Sequence, residues 1–329
     1  MLGTILGALL PMVVTFLLGF VAAWRRDFGP KDASILNRMV LVSAVPLALF
    51  AGTVSTTRAE LSQDMPLLIA LCVAIVGLFS VVLLLSRFVF RARVRTSALA
   101  ALTASAPAVP FMGPAILGNL FGRPSAIPIA LASLVINLTV VPVTILLLTL
   151  DTADGDSKGK SPAAQDGEHS TSPPTPLSVL VVKLAETVKE PIVWAPVLAF
   201  VIVLSGARIP QLIVHSLSML GHASGGVALF ASGIVLASGT IKVIWSVLCF
   251  VFLKNIVQPA LVLGGLRWVG YGNPIVSEAV LTTAIPTMPI VIMLAVQYRV
   301  AEAEAASAVF LSVIGSLITL RICPDIIEK

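Results

Sequence analysis

Long apolar segments separated by short polar segments make up most of the chain. Ten of them are close to the 20 or so apolar residues that a helix needs to cross a bilayer. The pattern therefore predicts an all-α integral membrane protein with ten transmembrane helices. The predicted spans are residues 3–24, 37–57, 66–88, 96–120, 125–150, 190–206, 222–240, 243–268, 274–298 and 304–323.

Two segments do not fit this pattern. Residues 207–221, GARIPQLIVHSLSML, are too short and too polar for a span, and we expect them to lie at the membrane interface. Residues 151–176 are rich in Ser, Pro, Gly and Asp and have almost no large apolar side chains. Such a composition favours disorder, so residues 151–188 are predicted to form a cytoplasmic linker between two halves, 1–150 and 189–329.

Charge is scarce and unevenly placed. Charged residues make up 11% of the chain, against about 25% in soluble proteins. With the N-terminus outside, fourteen of the 21 Lys and Arg residues fall in inner loops and six in outer ones. Because basic residues concentrate on the cytoplasmic side, both termini are predicted to lie on the outer side.

The two halves share a motif. TASAPAVP at 103–110 recurs as TTAIPTMP at 282–289, and each copy has two prolines in the same positions. Because each half has five predicted spans, the second half would enter the membrane in the opposite orientation. This arrangement is typical of secondary transporters, whose binding sites form at broken helices near the bilayer midplane.

The prolines predict that spans 4 and 9 are broken, since each removes a backbone donor and clashes with the preceding turn. Irregular backbone at membrane depth is tolerated only where it is buried in protein or lines a watery cavity. The ends of the half-helices would then offer N–H groups to an anion and carbonyls to a cation. Two simple kinks without crossing are the alternative.

Polar residues inside the spans add candidates. Lys254 lies near the centre of span 8, roughly 15 Å from either interface, and a charge there is usually functional. It would be a counter-charge for an anion or would replace a coupling cation. Asn255 and Gln258 flank it, and Asn137, Ser312 and Ser316 lie on spans 5 and 10; these either bond helices together or line a cavity.

The chain resembles the auxin efflux carrier superfamily, and its bacterial malonate-carrier branch most. The resemblance rests on KEPIVWAP (189–196), GVALFASGIVLAS (226–238) and KNIVQP (254–259), and covers nearly everything except the linker. It implies two inverted repeats, a scaffold of spans 1, 2, 6 and 7, a transport domain of spans 3–5 and 8–10, and a homodimer formed through the scaffold. It also implies location in the bacterial inner membrane. The family usually has an asparagine after the first crossover proline of span 4, where this chain has Ala108.

These observations predict a secondary active transporter of small organic anions, malonate-like or other carboxylates, with elevator-type alternating access. The alternatives are an anion channel or uniporter, or transport of another solute such as an auxin-like weak acid. Enzyme motifs and nucleic-acid partners are not indicated. No cofactor or metal site is predicted, and the coupling ion, H⁺ or Na⁺, stays open. The predicted pathway residues are Ser105, Pro107, Ala108, Pro110, Gly113, Asn137, Lys254, Asn255, Gln258, Pro286, Thr287 and Pro289.

Overall fold

The computed structural model describes residues 2–55, 64–150, 190–207, 209–238 and 244–327. This part of the chain is helical throughout and contains no strand, which confirms the all-α class. The predicted linker at residues 151–188 lies outside it. The helices are α1 Leu2–Trp24, α2 Pro30–Val54, α3 Met65–Val89, α4 Val94–Ser105, α5 Val109–Phe121, α6 Ala126–Thr149, α7 Pro191–Ser205, α8 Gln211–Ser238, α9 Trp245–Val269, α10 Ile275–Ala284, α11 Ile290–Tyr298 and α12 Glu302–Ile327.

Six of these helices are long and apolar enough to cross a bilayer: α2, α3, α6, α8, α9 and α12. Helix α9 has an exposed tryptophan near each end. Trp245 is its first residue and Trp268 its second last. The two are about 35 Å apart at 1.5 Å per residue, slightly more than the hydrocarbon thickness of about 30 Å. Tryptophan is enriched at both membrane interfaces, so the ends of α9 match the two interfaces.

Residues 207–221 are not separate from the next predicted span, 222–240, and their location at the membrane interface stays a prediction. Residues from Gln211 onward are the first turns of α8, which runs unbroken through 28 residues to Ser238. Close packing against α2 explains the difference, because a Cβ added at Gly221 would lie 2.8 Å from the Cα of Ala48. Small residues let membrane helices approach this closely, and hydropathy alone does not reveal such a contact.

An especially close contact joins α1 and α8. A Cβ added at Gly19 would lie 2.0 Å from the carbonyl oxygen of Phe230, and one added at Gly233 would lie 2.1 Å from that of Phe16. Any larger residue would therefore push the two backbones apart. Helix α2 packs on α7 and α8, so α1, α2, α7 and α8 form one connected group.

Helix boundaries recur along the chain. Helix α3 begins at Met65 and ends at Val89, and helix α9 begins at Trp245 and ends at Val269. The two starts and the two ends are separated by the same number of residues along the sequence. Both helices have a π-helical turn at the same relative place, Val73–Gly77 and Leu253–Val257. Further π turns occur at Val40–Ala44, Leu85–Val89 and Ile136–Val140. Such turns often mark functional sites.

Candidate functional site

Each Pro-x-x-Pro motif interrupts a helix. Helix α4 ends at Ser105 and α5 begins at Val109, while α10 ends at Ala284 and α11 begins at Ile290. The residues between them are extended or irregular and fully buried, including Pro107, Ala108, Pro286 and Thr287. Proline has no backbone N–H and clashes with the preceding turn, so two prolines three residues apart favour a break over a continuous helix.

The two breaks pair with each other. The backbone N–H of Ala108 donates to the carbonyl of Pro286 at 2.8 Å, and that of Met288 donates to the carbonyl of Ala106 at 3.1 Å. The result is a short antiparallel bridge between Pro107 and Thr287. Each break thus supplies hydrogen-bond partners to the other, which removes part of the cost of irregular backbone away from water.

Side chains from α9 bind the carboxyl ends of both half-helices. Lys254 donates from Nζ to the carbonyl of Thr283, near the end of α10, at 2.6 Å. Gln258 donates from Nε2 to the carbonyl of Ser105, the last residue of α4, at 2.9 Å. The last carbonyls of a helix have no partner within it and carry partial negative charge. The Lys254 ammonium and the Gln258 amide N–H are therefore suited to bind the carboxyl ends of α10 and α4.

Lys254 is fully buried, at 0% exposure. It lies in the π turn of α9, and Asn255 beside it and Gln258 after it are also buried. Nine residues separate Lys254 from Trp245, about 13 Å along the helix. The ammonium therefore points into the protein rather than to an interface, which agrees with the prediction from its position in span 8.

Asn255 belongs to a second polar link, between α9, α12 and the second break. Its amide nitrogen donates to the carbonyl of Ser312 at 2.7 Å, and the Ser312 hydroxyl donates to its amide oxygen at 2.7 Å. The same hydroxyl oxygen accepts the backbone N–H of Thr287 at 2.9 Å. Ser312 therefore connects the α9 side chain directly to the irregular backbone.

Thr287 completes the network. Its hydroxyl donates to the carbonyl of Thr103 in α4 at 2.9 Å. The polar groups of Thr287 thus join the second break both to the first half-helix and, through Ser312, to α12. Among the predicted residues, the structure brings together Ser105, Pro107, Ala108, Lys254, Asn255, Gln258, Pro286 and Thr287 in one continuous set of contacts.

The other predicted residues take different places. Pro110 and Pro289 lie at the starts of α5 and α11. Gly113 makes room for α6, because an added Cβ would lie 2.9 Å from Ile129. Asn137 lies in the π turn of α6, which packs against α3 and α7, and it is buried. Pro110, Gly113 and Pro289 therefore belong to the half-helices that follow the breaks, whereas Asn137 belongs to the contact of α6 with α3 and α7.

Two buried polar atoms at the network have no hydrogen-bond partner within the described residues. They are the amide oxygen of Gln258 and the hydroxyl of Thr282. In α6, the amide oxygen of Asn137 is also buried without a hydrogen-bond partner among the described residues. A buried polar group without a partner costs roughly 1–3 kcal/mol. Their retention gives this region hydrogen-bonding capacity that the described part of the protein does not use.

Sequence reasoning missed the acceptors of the network. The carbonyls of Thr103, Ser105 and Thr283 receive the key side chains, and a backbone carbonyl leaves no mark in the sequence. The sequence indicates Ser312 only as a helix-bonding or cavity-lining residue. The offset of 179 residues that relates the two proline motifs also places Ser312 on Ser133, and this correspondence is the available signal for a more specific role.

Comparison with known proteins identifies the family of the chain. The family model described as membrane transport protein matches residues 4–324. An uncharacterized transporter, YfdV, of Escherichia coli strain K12 is 30% identical over 322 residues, which cover 97% of this chain and 96% of that protein. A putative malonate transporter of Rhizobium meliloti is 24% identical over 96% of this chain and 93% of its own length. The chain therefore belongs to the membrane transport protein family, the auxin efflux carrier family that its motifs resemble.

Proposed function

We propose that this membrane transporter is a secondary active transporter of small organic anions. The observation that carries the proposal is the pair of broken helices that bind each other through Ala108, Pro286, Ala106 and Met288. Discontinuous helices at corresponding places in two halves are the usual position of a transporter's substrate site. Their half-helix N-termini, at α5 and α11, carry the partial positive charge that favours an anion.

Inverted repeats would explain the recurring helix boundaries. Helices α3 and α9 match at both ends, and α4 and α10 end at corresponding positions of the repeated motif, Ser105 and Ala284. With five spans in each half, the second half would be inverted. The proposal assigns α1, α2, α7 and α8 to a scaffold that forms the homodimer, and the remaining helices to a transport domain that moves as an elevator. Both termini would lie outside the bacterial inner membrane.

Carboxylates are the substrate class that fits the site. Among the side chains whose burial the structure describes, Lys254 is the one buried Lys or Arg, and a lysine ammonium has three N–H donors. One donor is bonded to Thr283, which leaves capacity for a carboxylate. A relative named as a putative malonate transporter supports malonate-like acids as the first compounds to test.

Lys254 has a second role open to it. An ammonium on the carbonyl end of α10 would stand where a coupling cation would otherwise bind carbonyl oxygens. In that case transport would show no requirement for sodium. Measuring uptake with an imposed gradient of H⁺ or of Na⁺ distinguishes proton coupling from sodium coupling.

The test is uptake of labelled malonate and other mono-, di- and tricarboxylates into proteoliposomes. A thermal-stability screen of the purified protein first selects binders, because a specific ligand raises apparent stability by mass action. The proposal requires saturable uptake of at least one binder. Flux that rises linearly with concentration would instead support an anion channel, and saturable uptake that no imposed ion gradient drives would support a uniporter. Binding of aromatic weak acids alone would shift the substrate class.

A further inference from the structure

Two aromatic contacts join the proposed scaffold to the proposed transport domain. Phe111, in the first turn of α5, lies on Gly225 of α8, where an added Cβ would be 3.0 Å from the ring atom Cδ1. Phe16 of α1 stacks on Phe310 of α12, with ring centroids 5.0 Å apart and an angle of 25° between the ring planes. Both contacts therefore place an aromatic ring between the two sets of helices.

The Phe111 contact differs from the contacts inside each set of helices. Within the scaffold, Gly19 and Gly233 bring backbone onto backbone, since an added Cβ would lie 2.0 and 2.1 Å from a carbonyl oxygen. Within the transport domain, Lys254 and Gln258 donate hydrogen bonds to other helices. Phe111 meets its glycine through van der Waals attraction, which is weak for each pair of atoms. Of these contacts, it is the one that separates most easily.

Phe111 also lies beside the proposed substrate site. It comes three residues after Ala108 of the first break, and its turn of α5 carries the N–H groups that the proposed function assigns to an anion. The neighbouring Val109 and Met112 are buried, whereas Phe111 is half-buried. The ring thus lies between the start of α5 and α8, with part of its surface already free of protein contact.

We propose that Phe111 is a gate of the transport pathway, which closes on Gly225 and must leave it in each transport cycle. The inference rests on the proposed function, because it assigns α5 and α8 to parts that move relative to each other. Glycine provides the seat, since a Cβ at this position, 3.0 Å from the ring, would be closer than the optimal carbon separation of about 3.5–4.0 Å. The closed ring separates the start of α5 from α8, and a ring that has turned away opens this space to a small carboxylate.

A disulfide tests whether the contact must open. A Cβ added at Gly225 would lie 3.5 Å from the Cβ of Phe111, within the range of about 3.5–4.5 Å that disulfides have. The full-length variant Phe111→Cys/Gly225→Cys is reconstituted into liposomes and oxidised, and the bond is identified by mass spectrometry. Uptake of labelled malonate should be lost on oxidation and should return on reduction, because a ring position tied to α8 cannot leave it.

Two controls receive the same oxidant. The wild type keeps its three free cysteines, Cys72, Cys249 and Cys323, and shows whether oxidation by itself changes uptake. Gly118→Cys/Ser125→Cys joins two residues of the transport domain, where an added Cβ at Gly118 would lie 3.8 Å from the Ser125 hydroxyl oxygen. This second disulfide should leave uptake unchanged, because it does not connect the transport domain to the scaffold.

Hydrogen exchange gives a readout that does not depend on transport. Backbone N–H groups exchange through local opening, so those of α8 around Gly225 should exchange faster when the ring leaves. We expect the oxidised Phe111→Cys/Gly225→Cys protein to exchange there at least about fivefold more slowly than the reduced protein, a ratio that corresponds to about 1 kcal/mol. The oxidised Gly118→Cys/Ser125→Cys protein should exchange there like its reduced form.

Adjacent glycines supply a second pair of variants. Gly225→Ala crowds the ring, and overpacking by about 1 kcal/mol should raise the exchange of α8 about fivefold relative to Gly226→Ala. Gly226 is the matched control, because a Cβ there would meet open space among the described residues. Adding Phe111→Leu to Gly225→Ala should restore slow exchange, since the smaller side chain relieves the crowding.

Three results would overturn the proposal. One is a disulfide between positions 111 and 225 that forms and leaves malonate uptake unchanged. Another is failure of this disulfide to form in folded protein, since the closed contact would then not be populated. The third is equal hydrogen exchange in the oxidised and reduced proteins.

Failure of the proposed function gives a different result. If the wild type takes up no malonate, the assigned substrate is wrong, and hydrogen exchange alone decides whether the contact opens. If the double cysteine variant does not fold, equal exchange in Gly225→Ala and Gly226→Ala would overturn the gate.

Discussion

Replacement of Lys254 by methionine separates the charge of this residue from its packing. Methionine keeps most of the length and apolar volume but removes the ammonium that donates to Thr283 at 2.6 Å. The carbonyl of Thr283 then lacks its side-chain donor, at a cost of roughly 1–3 kcal/mol. Removing a fully buried charge offsets this cost, because an ammonium in an apolar interior carries a large desolvation penalty. We expect the free energy of unfolding to change by less than about 3 kcal/mol.

Transport should respond much more strongly. A hydrogen bond to a charged group is worth about 1.5–3 kcal/mol, which corresponds to roughly a 10- to 140-fold change at 1.4 kcal/mol per factor of ten. Initial uptake rates in proteoliposomes, normalised to the amount of folded protein, should therefore fall by this factor in Lys254→Met. Lys254→Arg keeps the charge and should retain more activity than Lys254→Met. Leu261→Met, on the lipid-facing side of the same helix, is the matched control and should transport like the wild type.

The result that refutes this reasoning is normal uptake by Lys254→Met in folded protein. Lys254 would then be a structural cap of α10 and nothing more. A fall in melting temperature together with unchanged uptake per folded molecule would point the same way. Loss of sodium independence in the variant would instead favour the role of a built-in cation.

Single contacts give three further predictions. Ser312→Ala should lower the free energy of unfolding by about 1–3 kcal/mol, because it removes the hydrogen-bond partner of the Asn255 amide oxygen and of the Thr287 backbone N–H. Ser316 is the control, since its hydroxyl donates only to Val313 in its own helix. Ser316→Ala should therefore have a smaller effect in the same thermal-unfolding assay. Gln258→Leu removes the side-chain donor to the carbonyl of Ser105 at the end of α4 and should reduce both uptake and melting temperature. A melting temperature equal to that of the wild type would contradict the view that this hydrogen bond stabilises the end of α4. Gly19→Val should abolish a monodisperse peak in size-exclusion chromatography, because the new Cβ meets Phe230 at 2.0 Å; normal elution would show that α1 and α8 separate easily.

The features that the sequence predicted correctly depend on rare residues. Single prolines lie inside continuous helices, as Pro11 and Pro196 do, but the pair of prolines repeated in both halves locates both breaks, after Ser105 and after Ala284. A single lysine in the middle of span 8 is also conspicuous, and Lys254 is buried as its position predicts; its bond to Thr283 is seen only in the structure. Where one residue type has a strong physical consequence, pattern reasoning is reliable.

The features that were missed depend on packing and on backbone groups. Nothing in the composition of residues 211–221 shows that Gly221 lies against Ala48 and lets α8 continue unbroken. Nor does any side chain reveal the carbonyls of Thr103 and Thr283 as acceptors. Asn137 is a predicted pathway residue because it is polar, yet its place in a π turn beside α3 and α7 follows from tertiary contacts alone.

Counterflow is the measurement that tests the central claim most directly. Proteoliposomes are loaded with a high concentration of an unlabelled carboxylate that binds, and a trace of the labelled compound is added outside. If the paired breaks at Pro107 and Thr287 form the site of an alternating-access transporter, the label should accumulate transiently above its external concentration. Simple equilibration of the label, without an overshoot at any internal concentration, would contradict alternating access and leave a channel as the better description.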